Sequence, residues 1–410
     1  MKKIIILSLI FLSTVVNAQI FYTQKNNNFL REGPAAYYPL ISVLPKGERV
    51  KVLKDKSNWV EVKTNNGKTG WMSKKSLSQN KQKHKLSELA KKWSSAEVSA
   101  ITLAGAVKGL RGKAQGGEVE DLDRLLLYTH YSVTPTQIDN FIREMSLYES
   151  SNRGEVDWDD AGLNIKEPEL DLPQLAVGFS VAARIASQPL IINDDIRNYI
   201  YLIMNALTAN SDFYDTEFSI LILNQNQADG FSCPGGVIFI TKGVFLIAKD
   251  ESELAAAIAH ELGHQLLHHN EIELSKRSTN ISAEEMFAEL DAEIQTEENE
   301  EDLNKLINAS YEKVVHERTL DYEFQADKFA AILLANAGYD PFAIVRLTSR
   351  LAKTFKAERD IFSDDYLSPN DMQTRADKIK DFVNENFNKE NPGERFPKRF
   401  NAYFSFLYKE

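Results

Sequence analysis

Hydrophobic and polar positions change rhythm twice along the chain. Residues 4–16 are mostly apolar and follow Lys2 and Lys3. Between 38 and 72, short alternating runs recur at 38–43, 49–53, 59–63 and 69–72, a period of two that predicts half-buried strands. Pro45-Lys46-Gly47 and Asn65-Asn66-Gly67 lie between them, the second a strong hairpin signal. Helical stretches follow at 121–129 and 136–149, after a glycine-rich break at 112–117. From about residue 171 the rhythm is predominantly helical, with helices predicted over 173–187, 194–208, 252–269, 283–313, 314–337, 342–356 and 371–384. Two strands, 217–223 and 237–241, flank the turn-rich 229–236.

At roughly 150 residues per domain, 410 residues suggest two or three domains. The pattern divides them into a β module at 19–78, a Lys-rich linker and helical segment at 79–170, and a helical domain with a short sheet at 171–410. With 43% hydrophobic and 26% charged residues, wholesale disorder is excluded. Lys and Arg number 48 against 59 Asp and Glu, a net charge of −11 that argues against a nucleic-acid partner. One cysteine, Cys233, precludes an internal disulfide and any thiolate-rich metal site. A metal would therefore need His and carboxylates, and there are seven His.

Residues 1–18 read as a signal peptide: a positive start, an apolar stretch and a small-residue cleavage site at Val16-Asn17-Ala18. The stretch is short for a membrane span of about 20 residues. The expected mature protein is exported, periplasmic or secreted, with no membrane span. The acidic run 297–302 reads most simply as a solvated helix face; the sharper reading is a mobile cover over a nearby site.

The densest chemistry is His260-Glu261-Leu262-Gly263-His264. Positions four apart share a helix face, so both imidazoles can address one ion, and Glu261 lies beside it. Imidazole at this spacing suits zinc with an open position for water, whose proton Glu261 can accept. A third ligand is needed. The third-His pattern H-E-x-x-H-x-x-G-x-x-H fails, because Leu267 and Asn270 occupy the Gly and His positions. His268 and His269 fall too early for that pattern and read as surface or partner-binding side chains. Glu323 and Asp327 share a face of a later helix ending at Gly338. Glu323 can ligate zinc, while Asp327 can accept the free N–H of a ligating His.

Two resemblances follow. Residues 29–53 (FLREGPAAYYPLISVLPKGERVKVL) and 58–72 (NWVEVKTNNGKTGWM) resemble a bacterial Src-homology-3-type domain. That likeness implies a small all-β barrel that binds cell-wall or other peptides; a spacer packed on its neighbour is the alternative. The stretches at 229–244, 251–269, 323–341 and 368–379 resemble the HtpX-like, CAAX-prenyl-protease-like and BepA-like zinc metallopeptidases, metallopeptidase family forty-eight. This likeness implies a mainly helical α+β gluzincin domain with a short edge-exposed sheet. It implies one zinc per chain held by His260, His264 and Glu323, with Glu261 as base. The strand at Gly236, Val237, Ile238 and Phe239 would be the edge where a substrate peptide pairs. Asp229-Gly230 and Ser368-Pro369 depart from the Asn-Ala and His-Pro usual in that family. That leaves His316 and Arg375 as alternative transition-state stabilisers, beside backbone N–H groups.

The expected function is an exported zinc endopeptidase acting on unfolded or envelope proteins, its N-terminal module engaging a partner or cell-wall peptides. The competing expectations are a binding or chaperone-like envelope protein with a latent zinc site, and a cell-wall peptide hydrolase.

Overall fold

The structure, a computed structural model, describes residues 19–25, 27–81, 124–148, 150–165, 172–209, 211–269, 307–315, 319–354 and 368–404. The expected signal segment, the acidic run 297–302 and His316 lie outside the described residues.

The N-terminal module is a seven-stranded sheet: β1 (Ile20–Thr23), β2 (Asn27–Arg31), β3 (Leu40–Pro45), β4 (Arg49–Lys56), β5 (Trp59–Thr64), β6 (Thr69–Ser73) and β7 (Leu77–Ser78). Its strand order is β3-β2-β6-β5-β4-β1-β7, with every pairing antiparallel. The expected hairpin joins β5 to β6, and Gly67 takes φ 90° at its tip, a conformation cheap for glycine. Alternate residues Val60, Val62 and Met72 point inward with Leu30, Leu44 and Val50 to form a compact core.

The second region begins with α1 (Pro135–Ser146), α2 (Leu172–Ala186) and α3 (Asp194–Ala209). A three-stranded sheet follows: β8 (Ser219–Leu223), β9 (Gly230–Cys233) and β10 (Val237–Thr241). The remaining helices are α4 (Lys242–Ile247), α5 (Glu251–Leu266), α6 (Leu320–Ala337), α7 (Ala343–Thr354), α8 (Pro369–Asn386) and α9 (Pro397–Phe404). Phe141 and Met145 of α1 join the same core as α3, α5 and α6, so this part of the 79–170 segment extends the helical domain.

The sheet order β8-β10-β9 corrects the expected edge. β10 pairs in parallel with β8 and antiparallel with β9, and all five of its residues are buried. Its residues Ile238 and Ile240 face the main core, while Val237 and Phe239 face a second core built on α2. A strand covered on both faces reads as a continuous apolar run, and such a run belongs in the middle of a sheet. The segment Gly230–Cys233, read from sequence as turn, is instead a strand. It pairs with β10 through a tight reversal in which Gly235 and Gly236 take φ 96° and 86°.

α5 is the central helix, and all sixteen of its residues are buried. Asp250 caps its first turn by accepting from the Glu253 backbone N–H. The buried acids at this positive helix end each meet a cation. Asp250 pairs with Arg395, Glu251 with Arg399, and Glu253 with Arg346 and Arg350. Tyr339 also donates to Glu251 at 2.7 Å. These contacts lock the helix that carries the candidate metal ligands.

Candidate metal centre

Three ligand-type side chains converge between α5 and α6. The Nε2 atoms of His260 and His264 stand 3.0 Å apart. Glu323 places Oε2 3.4 Å from His260 Nε2 and Oε1 3.3 Å from His264 Nε2. All three residues are buried, and their ligand atoms lie within 4.8 Å of one another. Two imidazole nitrogens and a carboxylate at this separation fit a divalent ion such as zinc, which takes N and O ligands in a compact set.

Close helix packing makes this convergence possible. A Cβ at Gly263 would lie 3.1 Å from the Ala326 Cα, so the glycine lets α5 and α6 approach closely. Thr319 caps α6 by accepting from the Tyr322 N–H, and Gly338 ends it in the left-handed conformation. Glu323 and Asp327, one turn apart, therefore both face α5.

Behind the ligands lies a second set of groups. Asp327 Oδ1 is 2.9 Å from His260 Nδ1, which leaves His260 Nε2 directed at Glu323 and His264. Arg375 donates to both Asp327 oxygens at 2.7 Å and also pairs with Glu323. Burial alone would raise the Asp327 pKa, but the charge and hydrogen bonds of Arg375 and His260 hold it below the usual carboxylate range. Burial and Arg375 push His260 towards neutrality; Asp327 and Glu323 outweigh them and raise its pKa to about 9. Arg375 thus touches the carboxylates of both Glu323 and Asp327, a place suited to positioning them. Its expected companion, His316, is outside the described residues.

Glu261, next to His260 on α5, meets β9. Ser232 of β9 donates its hydroxyl to Glu261 Oε2 at 2.8 Å and approaches the Glu261 carbonyl at 2.7 Å. Gly230 leaves room for this carboxylate, because a Cβ there would fall 2.3 Å from Glu261 Oε1. The strand bordering the base is therefore β9, whereas Gly236, Val237, Ile238 and Phe239 belong to the reversal and the central strand.

His269 is a neighbour of the centre that spacing arguments missed. It is 4% exposed, against the surface position expected, and its Nδ1 lies 3.1 Å from His264 Nδ1. After α5 the chain closes a Schellman motif: the His268 N–H reaches the Gln265 carbonyl, and the His269 N–H reaches the His264 carbonyl. His268 takes φ 59° to allow this reversal, a role usually given to glycine. Tyr322 of α6 stacks on the His269 ring at 4.4 Å. Burial, then the neighbouring His264, push the His269 pKa down to about 3, so it is a neutral imidazole able to accept from His264.

Comparison with known proteins agrees with this geometry. Residues 27–78 match the bacterial SH3 domain, and residues 197–382 match peptidase family M48. Over 187 residues the chain is 28% identical to a Vibrio cholerae protein named provisionally as a beta-barrel assembly-enhancing protease, covering 45% of this chain and 38% of that one. It is 34% identical over 97 residues to the beta-barrel assembly-enhancing protease of Yersinia pestis, covering 23% and 20%. The mitochondrial metalloendopeptidase OMA1 of Schizosaccharomyces pombe is 29% identical over 72 residues, covering 18% and 21%. The matched region spans at most 38% of the length of these relatives.

Proposed function

Taking residues 197–382 as a peptidase family M48 domain joined to an N-terminal SH3 domain, we propose that this chain is a zinc-dependent endopeptidase. The observation that carries the proposal is the buried convergence of His260, His264 and Glu323 beside Glu261. Zinc held by those three residues would polarise a substrate carbonyl and lower the pKa of a water beside it.

The chain's own residues supply the rest. Glu261 accepts the proton of the attacking water on its carboxylate and hands it to the departing amine. Ser232 orients that carboxylate through Oε2. Asp327 accepts from His260 Nδ1 and fixes its tautomer. His269 can do the same for His264, and Arg375 keeps Asp327 charged and holds both acids in place. Burial of the whole set strengthens each of these interactions relative to water.

The same reading places the protein in the cell envelope after cleavage near Ala18, acting on unfolded or envelope proteins. Support comes from the apolar stretch behind Lys2 and Lys3 and from the names of the bacterial relatives. No helix among the described residues is long and apolar enough to cross a membrane.

The test is hydrolysis of unfolded casein by the purified chain, with peptidoglycan as the competing substrate. Glu261→Gln should retain its zinc and lose at least about 100-fold in kcat on casein. Equal cleavage by the variant and the wild type would remove Glu261 as the base. A zinc-loaded chain that cleaves neither substrate would favour the chaperone-like alternative.

A further inference from the structure

The N-terminal barrel meets the helical domain along residues 211–217, which lead from α3 into β8. Phe213 of this segment is buried in the main core and fastens it there. The adjacent Tyr214 engages the barrel instead. Its hydroxyl is 2.9 Å from Ser73 Oγ and 3.3 Å from the Asn58 carbonyl. Its ring meets Trp59 edge-on, with centroids 5.8 Å apart, and the Lys75 ammonium lies 5.5 Å from the ring centre.

Charge surrounds this aromatic anchor. Residues 211–218 carry Asp212, Asp215 and Glu217 and no Lys or Arg. The barrel answers with three cations. Lys25 pairs with Asp215 at 3.2 Å, Arg31 pairs with Glu217 at 2.9 Å, and Lys75 Nζ donates to the Asp212 carbonyl at 2.5 Å. The Arg31 side chain is only 3% exposed, and a cation so enclosed needs an anionic or carbonyl partner. A half-buried aromatic side chain flanked by pairs of opposite charge is an arrangement by which peptide-binding surfaces gain affinity and specificity.

We propose that this face of the barrel is a recognition site for an acidic, tyrosine-containing peptide segment, and that residues 212–217 occupy it in cis. The N-terminal domain then braces the segment feeding β8, and through it the sheet that borders Glu261. A segment of another protein with the same chemistry can use the site only by displacing the internal one.

The test uses the full chain and a fluorescent octapeptide of sequence 211–218, followed by anisotropy. A chain carrying Tyr214→Ala, Asp215→Asn and Glu217→Gln loses the aromatic anchor and both ion pairs that hold the internal segment; this vacated chain should bind the peptide at least about tenfold more tightly than wild type. Adding Lys25→Glu and Lys75→Glu, two changes on side chains outside the barrel core, should reverse that gain. A peptide with its tyrosine replaced by alanine should bind at least tenfold more weakly to the vacated chain. Equal peptide affinity in wild type and vacated chain, or binding indifferent to the lysine reversals, overturns the proposal. So does binding of soluble peptidoglycan fragments that the lysine reversals abolish while the octapeptide is ignored, which would assign this face to the wall.

Discussion

At the residue scale, His264 depends on a neighbour that lies outside any metal-ligand spacing. With His264 Nε2 turned to the centre, its Nδ1 faces the His269 Nδ1 at 3.1 Å, and a proton shared between the two would fix the His264 tautomer. Groups that orient a ligand in this way typically contribute 10–100-fold to metal affinity. His269→Ala is therefore expected to weaken zinc binding by about 10–100-fold, read by competition with a chromogenic chelator. His269→Gln, which keeps an acceptor, should recover part of the loss. Undiminished affinity in His269→Ala would assign the residue to packing against Tyr322 alone. The pairs His260/His264 and Glu323/Asp327 were legible in the sequence because helical spacing fixes which side chains share a face, and the fold adds that His260, His264 and Glu323 meet. His269 was not, because its position depends on a reversal in which His268 adopts a conformation that glycine normally signals.

At the element scale, the site is as good as the approach of α5 to α6. Gly263→Val would place branched carbon atoms against Ala326 and Phe329, whose atoms already lie 3.1–3.2 Å from an ideal Cβ. The helices must part, and overpacking of this kind costs about 1–3 kcal/mol. Urea unfolding should show that loss, together with weaker zinc binding, since His264 and Glu323 move apart. A stable variant with unaltered zinc affinity would separate helix approach from metal binding. The helices were readable from periodicity, and α2, α3 and α7 fall within two residues of expectation. The sheet was only partly readable. β9 contains Gly230 and Ser232 and is followed by Pro234-Gly235-Gly236, a composition that signals turn. It is a strand because β10 needs a partner on that side, and because only a residue without Cβ fits beside Glu261 as placed here. That is tertiary information, and for the same reason the central position of β10 was hidden.

At the scale of the whole molecule, metal binding and folding are linked, because the three ligands come together only in the folded chain. At a free zinc concentration about 1,000 times Kd, the linkage is worth about 4 kcal/mol. Chelation should then lower the thermal midpoint of the helical domain by on the order of 10 °C, and added zinc should restore it. A midpoint indifferent to chelator would deny the linkage. The barrel's internal contacts were evident in its alternating strands and Asn-Gly turn. Its docking on residues 211–217 was not, since Lys25, Arg31, Lys75 and the groups they meet are far apart in sequence and no local period connects them.

The central claim is that one ion is gripped jointly by two turns of α5 and one acid of α6. Zinc counted per chain by elemental analysis, in wild type and in Glu323→Ala, tests it most directly. One zinc in the wild type and far less than one in a still-folded Glu323→Ala chain is the predicted result; an equal, full complement in both would contradict it.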